Sequence, residues 1–172
     1  VPRMQRFTNL DKAEVQEADL NQILTDVACL LEPHYKGRAD VQLDLHPVPP
    51  LVCRPQQLSA VFSNLLGNAV DALNGTSGRV VVRSSTAGSQ VVITFSDNGR
   101  GLDPHQITSI FDPGFQVKQG RVSSGNWSMF SSRQIIQEHG GDINLESRPG
   151  QGTCVSVLLP FDGAGGQIIK PT

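Results

Sequence analysis

The stretch Leu58-Ser-Ala-Val-Phe-Ser-Asn-Leu-Leu-Gly-Asn-Ala-Val-Asp-Ala-Leu73 constrains this chain more than any other. Leu58, Val61, Phe62, Leu65, Leu66, Ala69, Ala72 and Leu73 return every three or four residues, which predicts a helix with one wide apolar face turned to a core. At about 100° per residue, Asn64, Asn68 and Asp71 fall on one narrow stripe at the edge of that face, where a pocket would lie, rather than opposite it. Asparagine is a mediocre helix former, so two of them one turn apart weaken the helix unless another interaction holds them. Two readings stand at this point: solvated or capping asparagines on an ordinary amphipathic helix, or side chains that line a site.

A length of 172 residues fits one domain with a sizeable core. Fourteen Lys and Arg stand against sixteen Asp and Glu, for a net charge of −2. With no basic run and only one Tyr and one Trp, the chain lacks the electrostatic footprint of a nucleic-acid binder. Its apolar stretches are too short to cross a bilayer, and no signal-peptide pattern opens it, which points to a soluble, cytoplasmic chain without direct membrane contact. Cys29, Cys53 and Cys154 are odd in number and far apart, and read as small buried hydrophobes rather than bridges or zinc ligands. The four histidines are too scattered for a metal site.

In chain order, residues 1–18 are polar and poorly periodic, and read as a linker or the end of a helix whose partner lies upstream. Asp19 is a plausible N-cap for a helix carrying Leu20, Ile23, Leu24, Val27, Ala28, Leu30 and Leu31, stopped before Pro33. Val41–Leu45 alternates as a half-buried strand, Leu51–Cys53 is a short second one, and Pro55 suits the first turn of the long helix, which Asn74-Gly75 closes. Arg79–Ser85 and Gln90–Ser96 form a hairpin that runs into Asp97-Asn-Gly-Arg-Gly-Leu-Asp-Pro104. Glycines at alternate positions straight after a strand mean a sharp turn or a close approach, and Asp97 points into that gap. Ile107–Phe111 and Asp112-Pro-Gly-Phe115 precede a Ser-, Gly- and Lys-rich stretch, Gln116–Asn126, expected to be a mobile loop. A helix from Trp127 to His139 ends at Gly140-Gly141, strands follow at Asp142–Ser147 and Thr153–Leu159, and residues 162–172 read as a disordered tail.

The order of motifs carries more than any one of them. Asn-x-x-x-Asn-Ala on a helix, Asp-x-Gly-x-Gly after a strand, Phe-x-Pro-x-Phe before a loop, and a helix ending in Glu-His-Gly-Gly resemble the catalytic ATP-binding domain of sensor histidine kinases. That domain belongs to a wider family shared with DNA gyrase, the Hsp90 chaperone and the MutL repair protein. The resemblance covers about residues 20–160 and implies an ATP-binding domain over 19–161. Its implied fold is a two-layer α/β (α+β) sandwich: about three helices on one face of a mixed, mostly antiparallel sheet, with a flexible lid over the nucleotide.

By resemblance, Asn68 is the asparagine that holds Mg²⁺ on the phosphates, and Asn64 occupies the other metal-side position. ATP-hydrolysing relatives carry a general-base glutamate at that position, so a neutral amide favours phosphoryl transfer over hydrolysis. Asp97 matches the carboxylate that accepts from the adenine amino group, with Gly99, Gly101 and Leu102 against the nucleotide. Phe111 and Phe115 anchor the base of the lid, Lys118 matches a phosphate-reaching lysine, and Gly125 and Ser131 match the lid-to-helix motif. The resemblance departs at Trp127 and Met129, which stand where glycines are usual, at Arg54, where an acid is usual, and at Asp71, where some members carry a lysine and which we place among the nucleotide-binding residues.

The implied activity is transfer of the γ-phosphoryl group of ATP to a histidine on a separate dimerising hairpin upstream, with a response regulator as the next partner. The whole protein would then be a homodimer, membrane-anchored or not, and this stretch by itself a monomer. None of His34, His46, His105 and His139 has the helical His-Glu context of an acceptor, and His139, ending a helix, reads as a structural cation against the dipole. Two other readings are a nucleotide-poor docking and regulatory module and an ATP-hydrolysing clamp, the latter opposed by Asn64.

Overall fold

A computed structural model of the chain describes residues 14–73, 78–112, 117–118, 121–122 and 129–161. Two layers account for most of them. A five-stranded sheet has the order β2-β4-β5-β9-β8, formed by β2 (Asp40–Leu45), β4 (Arg79–Ala87), β5 (Gln90–Asp97), β9 (Gly152–Pro160) and β8 (Asp142–Arg148). Only β2 and β4 pair in parallel; the other three ladders are antiparallel. Three helices cover one face: α1 (Leu20–Leu30), α3 (Pro55–Asp71) and α5 (Met129–Glu138). This is the mixed, mostly antiparallel two-layer architecture that the sequence predicts.

The side-chain period of two sorts each strand between the faces. Val80 and Val82 of β4, Val91, Ile93 and Phe95 of β5, and Val155, Val157 and Leu159 of β9 are buried towards the helices. From the other layer α1 contributes Leu20, Leu24, Val27 and Ala28, while α3 contributes Leu58, Val61, Phe62, Leu65, Leu66, Ala69 and Val70. Phe62 meets Phe95 across the layers with ring centroids 6.1 Å apart. Each fully buried Leu or Phe of this kind contributes about 1.5–3 kcal/mol of burial energy, so α3 is pinned along its length.

Caps set the helix ends. Asp19 accepts from the Asn21 amide at 3.0 Å, as its N-cap position predicts. Pro55 opens α3, whose missing N–H costs nothing there. The strand β3 (Leu51–Cys53) pairs antiparallel with β1 (Gln16–Ala18) rather than with the main sheet. Three residues of the stretch read as linker therefore belong to the folded unit, and the linker reading falls on residues 1–13, outside the described residues. So do the predicted helix stop at Asn74-Gly75 and the tail. Two short helices were not read from the sequence: α2 (Glu32–Tyr35) and α4 (Pro104–Ser109). In α4, Asp103 and Gln106 form a reciprocal capping box, a signature that Asp-x-x-Gln carries in the sequence itself. Within the stretch read as a mobile loop, β6 (Val117–Lys118) and β7 (Arg121–Val122) pair antiparallel.

Two expectations need correcting. Cys53 is buried, with its thiol pushed up to about 12 by burial, but Cys29 is exposed on α1 rather than inside. His139 is not a cation facing the helix dipole. It is 2 % exposed, and burial holds its pKa below the ordinary histidine value. Its Nε2 accepts from the Arg54 amide at 3.1 Å, so the proton sits on Nδ1, which donates to the Ile135 carbonyl at 2.8 Å. A neutral imidazole thereby ties the end of α5 to the start of α3.

Candidate functional site

The asparagine stripe of α3 lies at the border with α5. Asn64 donates from Nδ2 to Ser132 Oγ at 2.9 Å, and Asn68 Nδ2 lies 3.8 Å from Met129 Sδ. Both amides are half-buried and face the neighbouring helix, so neither is a solvated surface asparagine. Asp71, one turn on, is turned away from them. Its carboxylate sits 3.0 Å from His34 Nε2 and 3.8 Å from an Arg38 nitrogen, an exposed cluster beside α2. The structure thus brings Asn64 and Asn68 together and separates Asp71.

The glycine turn is built onto the end of the same helix. A helix C-terminus leaves carbonyls without intrahelical partners. Here the Arg100 amide donates to the Ala72 carbonyl at 3.1 Å, and Arg100 Nη1 donates to the Asp71 carbonyl at 3.2 Å. A Cβ on Gly99 would overlap the Ala72 carbonyl, so only glycine lets the turn come this close. Gly101 has φ 70° and lies against the Arg148 carbonyl in the β8–β9 turn. The Gly150 amide donates to the Arg100 carbonyl at 2.7 Å, and the Leu102 amide donates to Ser147 Oγ at 2.8 Å. The sequence reading gave these glycines to a nucleotide; in the structure both are already required by the chain's own backbone, because the turn is clamped between α3 and the β8–β9 hairpin.

Asp97 ends β5 in the middle of that clamp. Its Oδ1 accepts from the Gly99 amide at 2.8 Å, and a further hydrogen bond comes from the Thr153 backbone. Desolvation outweighs these donors and the nearby Arg100, and holds the Asp97 pKa above the usual carboxylate range. The carboxylate opens on a cleft of about 540 Å³ bounded by Ile107 of α4, Leu145 and Ser147 of β8, and Thr153 of β9. Ile107 and Leu145 offer a flat ring apolar contact and Asp97 can read a donor on its edge, with Glu146 and Arg148 also on the lining. Ser147 Oγ also lies 2.7 Å from Thr153 Oγ1, fixing the hydroxyls on the far wall. Sequence reasoning missed Ser147 and Thr153, which lie some fifty residues downstream of the turn and are joined to it only by strand pairing.

Phe111 is half-buried against the core beneath the Arg133 guanidinium, whose Cζ is 4.7 Å from the ring centroid. Arg133 is held in turn by Asp142 at 2.9 Å, and that bond keeps the Asp142 carboxyl below the usual range. Ser131 lies in the first turn of α5. Met129, which stands where a glycine is usual, is 6 % exposed and belongs to the buried core. Phe115, Gly125, Trp127 and the Lys118 side chain lie outside the described residues. Arg54, where an acid is usual, is 8 % exposed and occupies the N-cap of α3.

Among the described residues no group of three or more His, Cys, Asp or Glu could hold a metal. The donors near α3 are instead neutral amide carbonyls. That set fits Mg²⁺ brought in on phosphates, because Mg²⁺ keeps several waters and takes few protein ligands. Among the described residues no helix is long and apolar enough to cross a membrane.

Residues 53–163 match the family model described as histidine kinase-, DNA gyrase B- and HSP90-like ATPase. The chain is 31% identical over 147 residues to sporulation kinase E of Bacillus subtilis, covering 84% of this chain and 20% of that protein. It is 33% identical over 153 residues to the sensor histidine kinase ZraS of Klebsiella oxytoca, covering 86% of this chain and 32% of that protein. It therefore spans a third or less of the length of these relatives. Among solved structures, the catalytic domain of histidine kinase ThkA superposes with a TM-score of 0.76 at 23% identity, over 88% of this chain and 99% of that one. That likeness is one of fold.

Proposed function

The chain belongs to the family of histidine kinase-, DNA gyrase B- and HSP90-like ATPases, and from that membership we propose that it is the Mg-ATP-binding catalytic domain of a protein-histidine kinase. The observation that carries this reading is Asp97: a desolvated carboxylate, fixed by two backbone amides, lining a cleft and followed by a glycine turn that is hydrogen-bonded to the end of the asparagine helix.

In this reading Asp97 accepts from the exocyclic amino group of adenine, with Ile107 and Leu145 against the ring. Asn64 and Asn68 would hold Mg²⁺ through their Oδ1 atoms, and bound Mg²⁺ neutralises charge on the phosphates. Asn64 is neutral and already donates to Ser132, so it offers no base to activate water. The protein's part is orientation and electrostatic stabilisation, and the nucleophile is a histidine on a separate dimerising hairpin of the longer protein. Of the histidines inside the described fold, His34 lies against Asp71, His46 against Asp44 and His139 in the core, while His105 stands exposed on the short α4. A response regulator receives the phosphoryl group next, and the longer protein is a homodimer, membrane-anchored or not, whose catalytic domain lies in the cytoplasm. Lys118 and Gly125 belong to the phosphate side of the same site, Phe115 to the base of the lid, and residues 1–13 to the connection with the hairpin.

The test is binding of a non-hydrolysable ATP analogue with and without Mg²⁺, followed by phosphoryl transfer from ATP to the supplied hairpin. Saturable binding that Mg²⁺ strengthens in the wild type, but not in Asn68→Ala, supports the reading. No saturable binding under either condition overturns it.

A further inference from the structure

Ser132 is a hydroxyl in the wrong place for a packing residue. The inward positions of α5 are Met129, Ser132, Ile135 and Ile136, an apolar stripe apart from this one side chain, and Ser132 is 0% exposed. A buried hydroxyl costs free energy unless it is hydrogen-bonded, and alanine would fill the same space without that cost and with better helix propensity. Its partner is Asn64 Nδ2, 2.9 Å away on α3, itself half-buried. An asparagine side chain has one donor end and one acceptor end. With Nδ2 drawn to α5, Oδ1 is turned the opposite way, and rotation of the amide is resisted by a hydrogen bond that water cannot compete for. One turn nearer the N-terminus of α5, the Met129 sulfur, an acceptor only, makes the corresponding contact to Asn68 Nδ2 at 3.8 Å. The two contacts orient both amides from the same helix.

We propose that Ser132 is a positioning residue for the nucleotide's metal: by accepting from Asn64 Nδ2 it anchors the side chain whose Oδ1 is left for the cation. The inference rests on the functional reading above and adds to it a residue that no family motif singles out. It also gives a reason for a buried serine on an otherwise apolar helix face. Without the hydroxyl, Asn64 loses the bond that anchors its side chain, and its Oδ1 spends less time in the position that faces the cation.

The experiment is titration of a non-hydrolysable ATP analogue onto the 172-residue chain, with and without Mg²⁺, in the wild type, Ser132→Ala, Ser132→Thr, Asn64→Ala and the double variant. The quantity read is the factor by which Mg²⁺ tightens binding. Loss of one net hydrogen bond predicts that Ser132→Ala reduces this factor roughly 2- to 10-fold, while metal-free affinity is unchanged. Ser132→Thr, which keeps the hydroxyl, restores it. In the Asn64→Ala background, adding Ser132→Ala changes nothing further, because the serine acts only through that amide. The Asn64 side-chain NH₂ signals in a ¹⁵N spectrum of the ligand-free chain shift in Ser132→Ala, a readout independent of binding. An unchanged Mg²⁺ factor in a folded Ser132→Ala variant overturns the proposal. So does an equal loss in both backgrounds, which marks a packing role. Absence of saturable binding in the wild type both with and without Mg²⁺ overturns the parent reading itself and is distinguishable from both.

Discussion

Replacing Asp97 with asparagine should separate stability from binding, because the carboxylate sits where folding alone would not place it. Desolvation raises its pKa above the ordinary carboxylate value, against the donors of Gly99, Thr153 and Arg100. The folded state therefore holds the Asp97 proton more tightly than the unfolded chain does. On that sign, the group costs nothing below its unfolded pKa, destabilises progressively as pH rises towards its folded pKa, and leaves a fixed penalty at neutral pH. Asp97→Asn removes the penalty and keeps one oxygen, with two lone pairs, to accept from the Gly99 amide, 2.8 Å away, and from that of Thr153. Urea unfolding at a series of pH values should show the variant at least as stable as wild type at pH 7, with the advantage vanishing below the carboxylate range. Binding should move the other way. With its single oxygen taken by Gly99, asparagine turns an NH₂ towards the cleft, donor against the adenine amino donor. Losing a hydrogen bond to a charged acceptor costs about 1.5–3 kcal/mol, which is roughly 10- to 150-fold in Kd for adenine nucleotides. Guanine nucleotides, which lack that amino group, should lose nothing comparable. A variant less stable than wild type at pH 7, or one that binds ADP as well, would refute the assignment of Asp97 as a group kept for its ligand.

Two further outcomes follow from the clamp and the helix junction. Gly101→Ala puts a side chain at φ 70° and against the Arg148 carbonyl, and should lower stability by at least about 2 kcal/mol, read as a Tm drop of roughly 4–8 °C. His139→Gln should cost about 1–3 kcal/mol by weakening a buried acceptor for the Arg54 amide. Because the wild-type imidazole is held neutral, with its pKa below the unfolded value, stability should fall as pH drops through the ordinary histidine range and continue falling to the lowered pKa. The glutamine variant should lack that slope in chemical denaturation.

Much of the site was legible because its parts are local. The helix face of Leu58–Leu73, the asparagine spacing and the Asp-x-Gly-x-Gly turn each express a period or a backbone requirement within a few residues. Asp103-x-x-Gln106 was equally local and was simply not read as a cap. The rest was not local. Ser147 and Thr153 reach Asp97 only through the β5–β9 and β9–β8 registers, and Ser132 reaches Asn64 only because α5 packs beside α3.

By itself the sequence determined which faces are apolar, where the three long helices and the strands of the main sheet lie, and which short motifs the backbone must bend around, since these depend on neighbours along the chain. Tertiary structure decided what each polar group on those elements meets. Asp71 shares a helical stripe with Asn64 and Asn68, yet its carboxylate goes to His34 while theirs is the border with α5. His139 ends a helix and would be a cation by position, yet burial against Arg54 makes it neutral. Charge state and partner are set by burial and by groups distant in sequence, and neither is a property that residue spacing can encode.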